Sequence, residues 1–460
     1  MAKYLLVDIG STYTKLTAVD LEKEDIIATS KHYTTVETDV RIGYNKALNE
    51  LKNKTNENLE FEKILACSSA AGGLKMAAIG LVEELTVEAA KRVCLNSGGK
   101  VNLVFAHKIT RKEVEKIKNE SIDIILLAGG TNGGNSECVI HNATMLGEGQ
   151  VKIPVVYAGN KSVQDEIQEI FSKYNINGYI CDNVMPKLNE LNIESSRAVI
   201  KQIFLDNIIS AKGINKLADE IDGLLLPTPH AVLNAADLLS VGYLEEEGLG
   251  DAILVDIGGA TTDIYSFSKG LPKTPNTVLH GLEEPFAKRT VEGDLGMRYS
   301  TLGIINNLSA REIEEFKVKG IDIVKEALVR RENVEMVPTT KEEKDVDNIF
   351  ASLCVDTAIS RHVGTLETVY TPLGVMYYQE GKDLSDCKTI IGTGGVIIHS
   401  EDKVSILEKI KVNPKRLTEL RPKEGNYFID EDYILSAMGL LCIDHPEIAL
   451  KIMKKRIKRI

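Results

Sequence analysis

The stretch Ala252-Ile253-Leu254-Val255-Asp256-Ile257-Gly258-Gly259-Ala260-Thr261-Thr262-Asp263-Ile264 decides how the chain is to be read. An apolar run suited to a buried strand ends in an acid, breaks into two glycines, and resumes through two hydroxyls. The protein opens on the same word. Leu6-Val7-Asp8-Ile9-Gly10 matches Leu254-Val255-Asp256-Ile257-Gly258 residue for residue, and Thr14 falls where Thr262 falls. A strand–Asp–Gly–hydroxyl turn that occurs twice predicts two related lobes facing one ligand.

The chemistry of the turn indicates the ligand class. Glycines let backbone N–H groups approach closely and form a concavity for anions. Ser11, Thr12 and Thr14 in the first copy, and Thr261 and Thr262 in the second, add hydroxyl donors without bulk. A carboxylate repels phosphate, so Asp8 and Asp256 make sense beside a hard cation between them and the anion. Mg²⁺ is typically held by one or two carboxylates plus phosphate oxygens and keeps several waters. Gly10, Ser11, Thr12, Thr14 and Lys15, with Gly258, Gly259, Thr261 and Thr262, are therefore the candidate phosphate cradle. Asp8 and Asp256 are the candidate metal and catalytic acids. Lys15 lies on the return strand, where an ammonium reaches a phosphate as a point charge; the plainer alternative is a solvated strand lysine.

The bulk numbers narrow the class. The 460 residues allow two or three domains. Hydrophobic residues at 43% and charged residues at 27% fit a soluble globular protein. A net charge of −12 argues against nucleic-acid binding, whose footprint is basic. Seven scattered cysteines contain no C-x-x-C, which disfavours a zinc ribbon and fits a reducing cytoplasm. Asp8 arrives too soon for a signal peptide, and no apolar run is long enough for a membrane span.

Residues 3 to 20 read as a hairpin rather than a strand–helix junction, and no G-x-x-x-x-G-K-[ST] occurs, so a P-loop is excluded. A polar helix near 43–57 and a strand Lys63–Cys67 follow. From about 70 to 220 the pattern becomes strand–helix alternation, with strands at Val101–Ala106, Ile122–Leu127, Pro154–Tyr157 and Tyr179–Cys181. Helices are expected at 84–94, 110–119, 162–174 and 194–208. That is a parallel α/β sheet, read here as a domain inserted into the first lobe. Gly129-Gly130-Thr131-Asn132-Gly133-Gly134-Asn135 follows a strand; a tight turn is the preferred account over an anion site. Pro227-Thr228-Pro229-His230 starts a helix whose Ala231, Ala235 and Ala236 suit close packing, and Tyr433–Leu441, with Ala437 and Gly439, is a second small-residue helix. Gly281–Arg298, dense in glycine and charge, reads as a segment lying over a nucleotide or, alternatively, as a solvated loop; 305–345 reads as surface helices and 339–347 as a mobile loop or helix cap. Gly392-Thr393-Gly394-Gly395 ends an apolar strand without an acid, which suits a ring or ribose against bare backbone. Lys451–Ile460, with six basic residues in ten, reads as a solvated helix end, with contact to an acidic partner or phosphate as the alternative.

In order, Asp8–Lys15, Pro227–Gly242, Asp256–Thr262, Gly392–Gly395 and Ser436–Gly439 resemble the phosphate-1, connect-1, phosphate-2, adenosine and connect-2 signatures of the actin, Hsp70 and sugar-kinase superfamily. The resemblance implies an α/β fold of two actin-like (ribonuclease H-like) ATPase lobes around a nucleotide cleft. Its expected parts are lobe I at 1–69, an inserted α/β domain at 70–220, and a connecting helix at 221–249. Lobe II would follow at 250–429, with C-terminal helices at 430–460. It implies ATP and Mg²⁺ as ligands, with Gly392, Thr393, Gly394 and Gly395 at the adenosine.

Longer phrases are similar to the GlmL family, reactivating factors of adenosylcobalamin-dependent glutamate mutase. They are Ser68-Ser69-Ala70-Ala71-Gly72-Gly73-Leu74, Leu126–Asn135 and Lys288–Arg298. This resemblance implies ATP hydrolysis coupled to release of damaged cobalamin from a mutase partner in the cytoplasm. Leu226 stands where Hsp70-type ATPases place a glutamate before the connect-1 proline. No Asp-x-His-x-x-Gly surrounds any histidine, so no histidine ligand to cobalamin is expected here. The rival readings are a small-molecule kinase on the same fold, a polymer-forming actin relative, and a reactivator of another cobalamin enzyme such as an ornithine aminomutase.

Overall fold

The computed structural model describes residues 2–10, 12–35, 39–55, 59–69, 74–204, 221–222, 224–372 and 374–460. Ser11, Ala70, Ala71, Gly72, Gly73 and the end of the helix expected at 194–208 lie outside the described residues. Two compact units form. The first comprises Met1–Ala235, Gly281–Glu283 and Leu435–Ile452; the second comprises Ala236–His280, Glu284–Ile434 and Met453–Ile460.

In the first unit, β1 (Lys3–Ile9) and β2 (Tyr13–Asp20) form the expected hairpin, and β3 (Asp25–Tyr33) continues it. The apolar residues of β1 are buried on both faces, as a central strand requires. β4 (Lys63–Ser68) lies parallel beside β1. The helix Val40–Thr55 covers this sheet through Val40, Tyr44, Ala47 and Leu51, which join Leu5, Val7 and Leu16 in one core.

The inserted segment contributes β5 (Leu74–Gly80), β6 (Gly99–Ala106), β7 (Ile124–Leu127), β8 (Val155–Tyr157) and β9 (Gly178–Ile180). They build a wholly parallel sheet of order β6-β5-β7-β8-β9. Helices Glu88–Asn96 and Glu194–Ile203 pack on one face, and Arg111–Asn119, Glu137–Glu148 and Gln164–Tyr174 on the other. β10 (Leu224–Pro227) then returns to the first sheet, parallel to β4. The first sheet thus reads β10-β4-β1-β2-β3.

The second unit begins at Ala236, within the helix Thr228–Val241, which leads into the short hairpin β11 (Gly242–Tyr243) and β12 (Glu246–Glu247). β13 (Ala252–Ile257) and β14 (Thr262–Phe267) form the second expected hairpin. β15 (Thr277–His280), β17 (Thr365–Thr371) and β18 (Gly374–Glu380) make a separate three-stranded sheet. β16 (Ala287–Glu292), β19 (Thr389–Thr393), β20 (Asn426–Ile429) and β21 (Lys458–Arg459) complete a sheet of order β16-β14-β13-β19-β20-β21. Apart from β21, this is the first sheet repeated. Three antiparallel strands are followed by two parallel ones, with the Asp-bearing strand in the middle. The duplication read from thirteen residues therefore extends to whole sheets.

Two readings are corrected and one is decided between its alternatives. Gly281–Arg298 is not a solvated loop, since Ala287–Glu292 is β16, hydrogen-bonded along β14. Of the two readings of 339–347, the helix cap is the one found, since the Thr340–Glu343 capping box fixes the start of the 22-residue helix Lys341–His362. The Lys451–Ile460 end is not merely solvated, because β21 pairs with β20.

Candidate functional site: two Asp–Gly turns

Both turns are built in the same way. The N–H of Gly10 donates to the Tyr13 carbonyl at 3.0 Å, and that of Gly258 donates to the Thr261 carbonyl at 2.9 Å. Each closes a hairpin whose last pair is Ile–Thr, Ile9 with Thr14 and Ile257 with Thr262. Gly10 is required sterically, since a Cβ there would sit 2.7 Å from the Tyr13 oxygen. Thr12 is exposed at the tip.

In the first unit the Asp8 carboxylate is nearly buried, at 5% exposure, and ringed by donors. Thr228 Oγ1 donates to Oδ1 at 2.7 Å, Ser436 Oγ to Oδ2 at 3.0 Å, and the Cys67 thiol to Oδ1 at 3.6 Å. Lys15 Nζ lies 3.9 Å from Oδ2, so the lysine pairs with the acid while staying partly exposed. Burial, reinforced by the Asp8 charge, pushes the Cys67 thiol well above its usual pKa. It remains a neutral thiol and a poor ligand for a hard cation. Sequence reasoning missed Thr228, Ser436 and Cys67 as partners of Asp8. The available signal was a hydroxyl in the first turn of each small-residue helix.

In the second unit the turn rests on the segment after β16. Gly258 O accepts from Met297 N at 3.1 Å, Gly259 O from Arg298 N at 2.8 Å, and Ala260 O from Ser300 Oγ at 2.7 Å. A Cβ on Gly296 would sit 2.4 Å from the Ala260 carbonyl carbon, so the two backbones touch. In a trans peptide the C=O and the following N–H point in opposite directions. Pinning these three carbonyls therefore turns the N–H groups of Gly259, Ala260 and Thr261 away from the supporting segment. Gly259 and Ala260 are exposed. The result is a short run of outward-facing N–H donors just after Asp256, which suits an anion.

Two of the expected hydroxyls are not available. Thr14 is fully buried and hydrogen-bonds Thr34 at 3.0 Å; Thr262 is fully buried and donates to the Leu295 carbonyl at 2.9 Å. Period-two alternation from the turn tip sends both inward, so they brace the hairpins rather than line a ligand. Thr261 Oγ1 donates to Asp263 Oδ2 at 3.1 Å, and Asp263 is clasped by buried Arg289 at 2.6 Å. Thr393, expected at the adenosine, is buried with Oγ1 3.4 Å from Asp430 Oδ2.

Gly394 adopts φ +95°, and a Cβ there would lie 2.4 Å from the Ile257 carbonyl oxygen and 2.9 Å from Asp256 Oδ1. This glycine is demanded by the fold itself, which seats the end of β19 against the metal-candidate acid. Gly392 is buried in β19, and Gly395 is exposed as the first residue of the short helix Gly395–His399. Gly129–Asn135 is the tight turn expected, with Asn160 and Asn183 side chains holding its backbone.

The residues present fit a cation held largely through water. Each turn offers one carboxylate, and that of Asp8 has the Thr228 and Ser436 hydroxyls around it. Among the described residues no group of three or more His, Cys, Asp or Glu side chains could cage a metal directly. Mg²⁺ prefers such water-rich, carboxylate-poor sites. The sheets differ one strand further along. Leu226 stands beside Cys67 in the first row, whereas the second row ends in Asp430, only 2% exposed. Its Oδ1 accepts from Ile434 N at 2.9 Å.

Two such sheets, each with its Asp–Gly hairpin, define a duplicated actin-like α/β protein carrying an inserted parallel domain. The chain belongs to the MutL protein family, whose model matches residues 4–457. It is 52% identical over 462 residues to Protein MutL of Clostridium tetanomorphum, covering 100% of both chains. Among solved structures it is similar to component A of (R)-2-hydroxyglutaryl-CoA dehydratase from Acidaminococcus fermentans. That likeness is 10% identity over 99% of each chain, with a TM-score of 0.30. Similarity to the xylulose kinase of Lactobacillus acidophilus is 8% identity over 100% of this chain and 93% of that one, with a TM-score of 0.36.

Proposed function

We propose that the chain is an ATPase that reactivates an adenosylcobalamin-dependent mutase, with glutamate mutase as the client. The observation that carries the nucleotide part is the Gly258–Thr261 turn, whose carbonyls are pinned so that its donors face outward beside Asp256. The client is supported by the family-level resemblance of Lys288–Arg298 and Leu126–Asn135 and by MutL family membership.

In this reading the N–H groups of Gly259, Ala260 and Thr261 hold phosphate oxygens from one turn. Thr12 and Lys15 do so from the other, with Ser11 assigned from sequence alone, while Gly10, whose N–H is committed to the Tyr13 carbonyl, shapes that turn. Asp8 and Asp256 hold hydrated Mg²⁺, which neutralises phosphate charge when bound. Gly394 and Gly395 bring bare backbone to the adenosine. The two turns engage one triphosphate, so its hydrolysis removes the shared contacts and frees the units to move. Shifting a two-state equilibrium from mostly open to mostly closed takes about 5.5 kcal/mol of differential binding. Paired turns contacting one γ-phosphate are a physical source for it. That movement is the work delivered to the mutase, with the inserted domain as the gripping element.

The test is Mg-dependent ATP turnover by the full chain, followed by rescue of glutamate mutase inactivated with cyanocobalamin. Asp8→Asn and Asp256→Asn should each lower turnover by at least tenfold, and wild type should restore mutase activity only with ATP. Unchanged turnover in both variants would overturn the nucleotide assignment. Turnover that depends on a small hydroxyl or carboxylate acceptor would mark a kinase instead, and rescue of ornithine aminomutase alone would move the client.

A further inference from the structure

We infer that Thr228 and Ser436 are positioning residues that aim the Asp8 carboxylate and tie it to both connecting helices. The inference rests on the nucleotide reading above and adds two residues to it. Thr228 is the first residue of the helix Thr228–Val241, and Ser436 is the second of Leu435–Leu441. Each hydroxyl takes a different oxygen of Asp8, at 2.7 and 3.0 Å. The helices also meet directly, since a Cβ on Gly439 would lie 1.8 Å from the Ala231 carbonyl oxygen. Asp8 and the helix crossing therefore close a triangle, and the carboxylate cannot rotate without breaking a hydroxyl bond or shifting a helix.

An ionised carboxylate presents roughly four lone-pair sites. Thr228 and Ser436 each take one and the Cys67 thiol donates more weakly to Oδ1, so these bonds decide which remain for the water shell of a cation. The buried Cys67 thiol, 3.6 Å from Oδ1, fills the space beside Thr228. Lys15, 3.9 Å from Oδ2, supplies positive charge without reaching hydrogen-bond distance. Partners that orient a metal ligand in this way usually change metal affinity by about 10- to 100-fold when removed.

The experiment uses the full chain and a fluorescent ATP analogue titrated at graded Mg²⁺, with Thr228→Val, Ser436→Ala, Thr228→Ser and Ser436→Thr. Each apolar variant should need about tenfold more Mg²⁺ for half-maximal binding and turnover, with Mg-free ATP binding unchanged. Thr228→Ser should restore the wild-type requirement, which a purely structural defect would not permit. In the Asp8→Asn background Thr228→Val should add nothing, because its partner is already lost. A wild-type Mg²⁺ dependence in both apolar variants overturns the inference and leaves the nucleotide reading standing. Should those variants not fold, hydrogen exchange of the wild type decides. Extra protection of the first turn of Thr228–Val241 with Mg-ATP, but not with ATP and EDTA, is expected, and its absence overturns the inference. Wild type that fails to bind Mg-ATP at all overturns both readings.

Discussion

At the scale of single residues, the glycines separate into those the fold needs and those it does not. Gly394 combines a positive φ with backbone in the path of any Cβ, whereas a Cβ on Gly259 would meet nothing closer than 3.8 Å. Gly259→Ala should therefore leave the melting temperature unchanged or slightly raised while weakening ATP binding at least tenfold. Gly394→Ala should lower stability by roughly 1–3 kcal/mol through strain alone. Calorimetric melts alongside nucleotide titrations read both effects, and equal behaviour of the two variants would remove the ligand explanation for Gly259.

Lys382 gives a residue-scale prediction of another kind. It is fully buried, donates to the Phe286 carbonyl at 2.6 Å, and lies 3.3 Å from both Ser266 O and Ser266 Oγ. Burial, with Lys288 second, pulls its pKa down to about 7 against the opposing charges of Glu284 and Asp251. Burial likewise holds His362 well below its usual pKa, helped by Lys288 and Lys382. Between about pH 7 and pH 10 the unfolded lysine, with its ordinary pKa near 10.4, binds a proton that the folded one lacks. Stability should therefore rise with pH across that window and lose this component as pH falls to 7. Urea unfolding at pH 7, 8 and 9 should show the slope in wild type and a flatter profile in Lys382→Met; equal slopes would place the effect elsewhere.

At the scale of elements, legibility followed local pattern. The Asp–Gly hairpins, the parallel inserted sheet and the small-residue helices could be read because alternation, glycine pairs and alanine spacing are local signals. β5, the second strand of the inserted sheet order, was invisible. Its Leu74-Lys75-Met76-Ala77-Ala78 carries helix-favouring residues, and only pairing with β6 and β7 makes it extended. Thr14 and Thr262 misled for the converse reason, since residue type suited a ligand and only register showed them facing inward. Thr228 and Ser436 stand 220 and 428 positions from Asp8, so no window along the chain connects them. The alanine and glycine spacing of the connecting helices did foretell their crossing. Gly439→Ala should push them apart and cost about 1–3 kcal/mol by overpacking, while Gly439→Val should be worse. Denaturant midpoints measure this. Neutral substitutions at Gly439 would mean that the crossing is not tightly packed.

At the scale of the whole molecule, the two sheets share an order but differ in where the chain is interrupted. In the first unit the inserted domain separates β4 from β10, whereas in the second a short turn and small helices lie between β19 and β20. The duplicated half that carries the insert is also tied to one tripeptide of the later chain. Gly281–Glu283 belongs to the first unit, although β15 and β16 on either side belong to the second. Leu282 is 2% exposed within the inserted domain's core, alongside Ala89, Val93 and Ile200. Arg92 Nη1 holds the strap by donating to the Glu283 carbonyl at 2.9 Å. The chain therefore runs within a few residues from the inserted domain's core into β16, and then into the segment that supports the Gly258–Thr261 turn. Leu282→Ala should cost the inserted domain about 2–5 kcal/mol, the range for a buried leucine. Hydrogen exchange should speed up in the Glu88–Asn96 helix and in β5, with β13 and β14 unchanged in the nucleotide-free chain. If the strap also carries motion from the nucleotide turn, ATP should alter exchange in Glu88–Asn96 in wild type and not in Leu282→Ala. An ATP response that survives the substitution would leave Leu282 as packing alone.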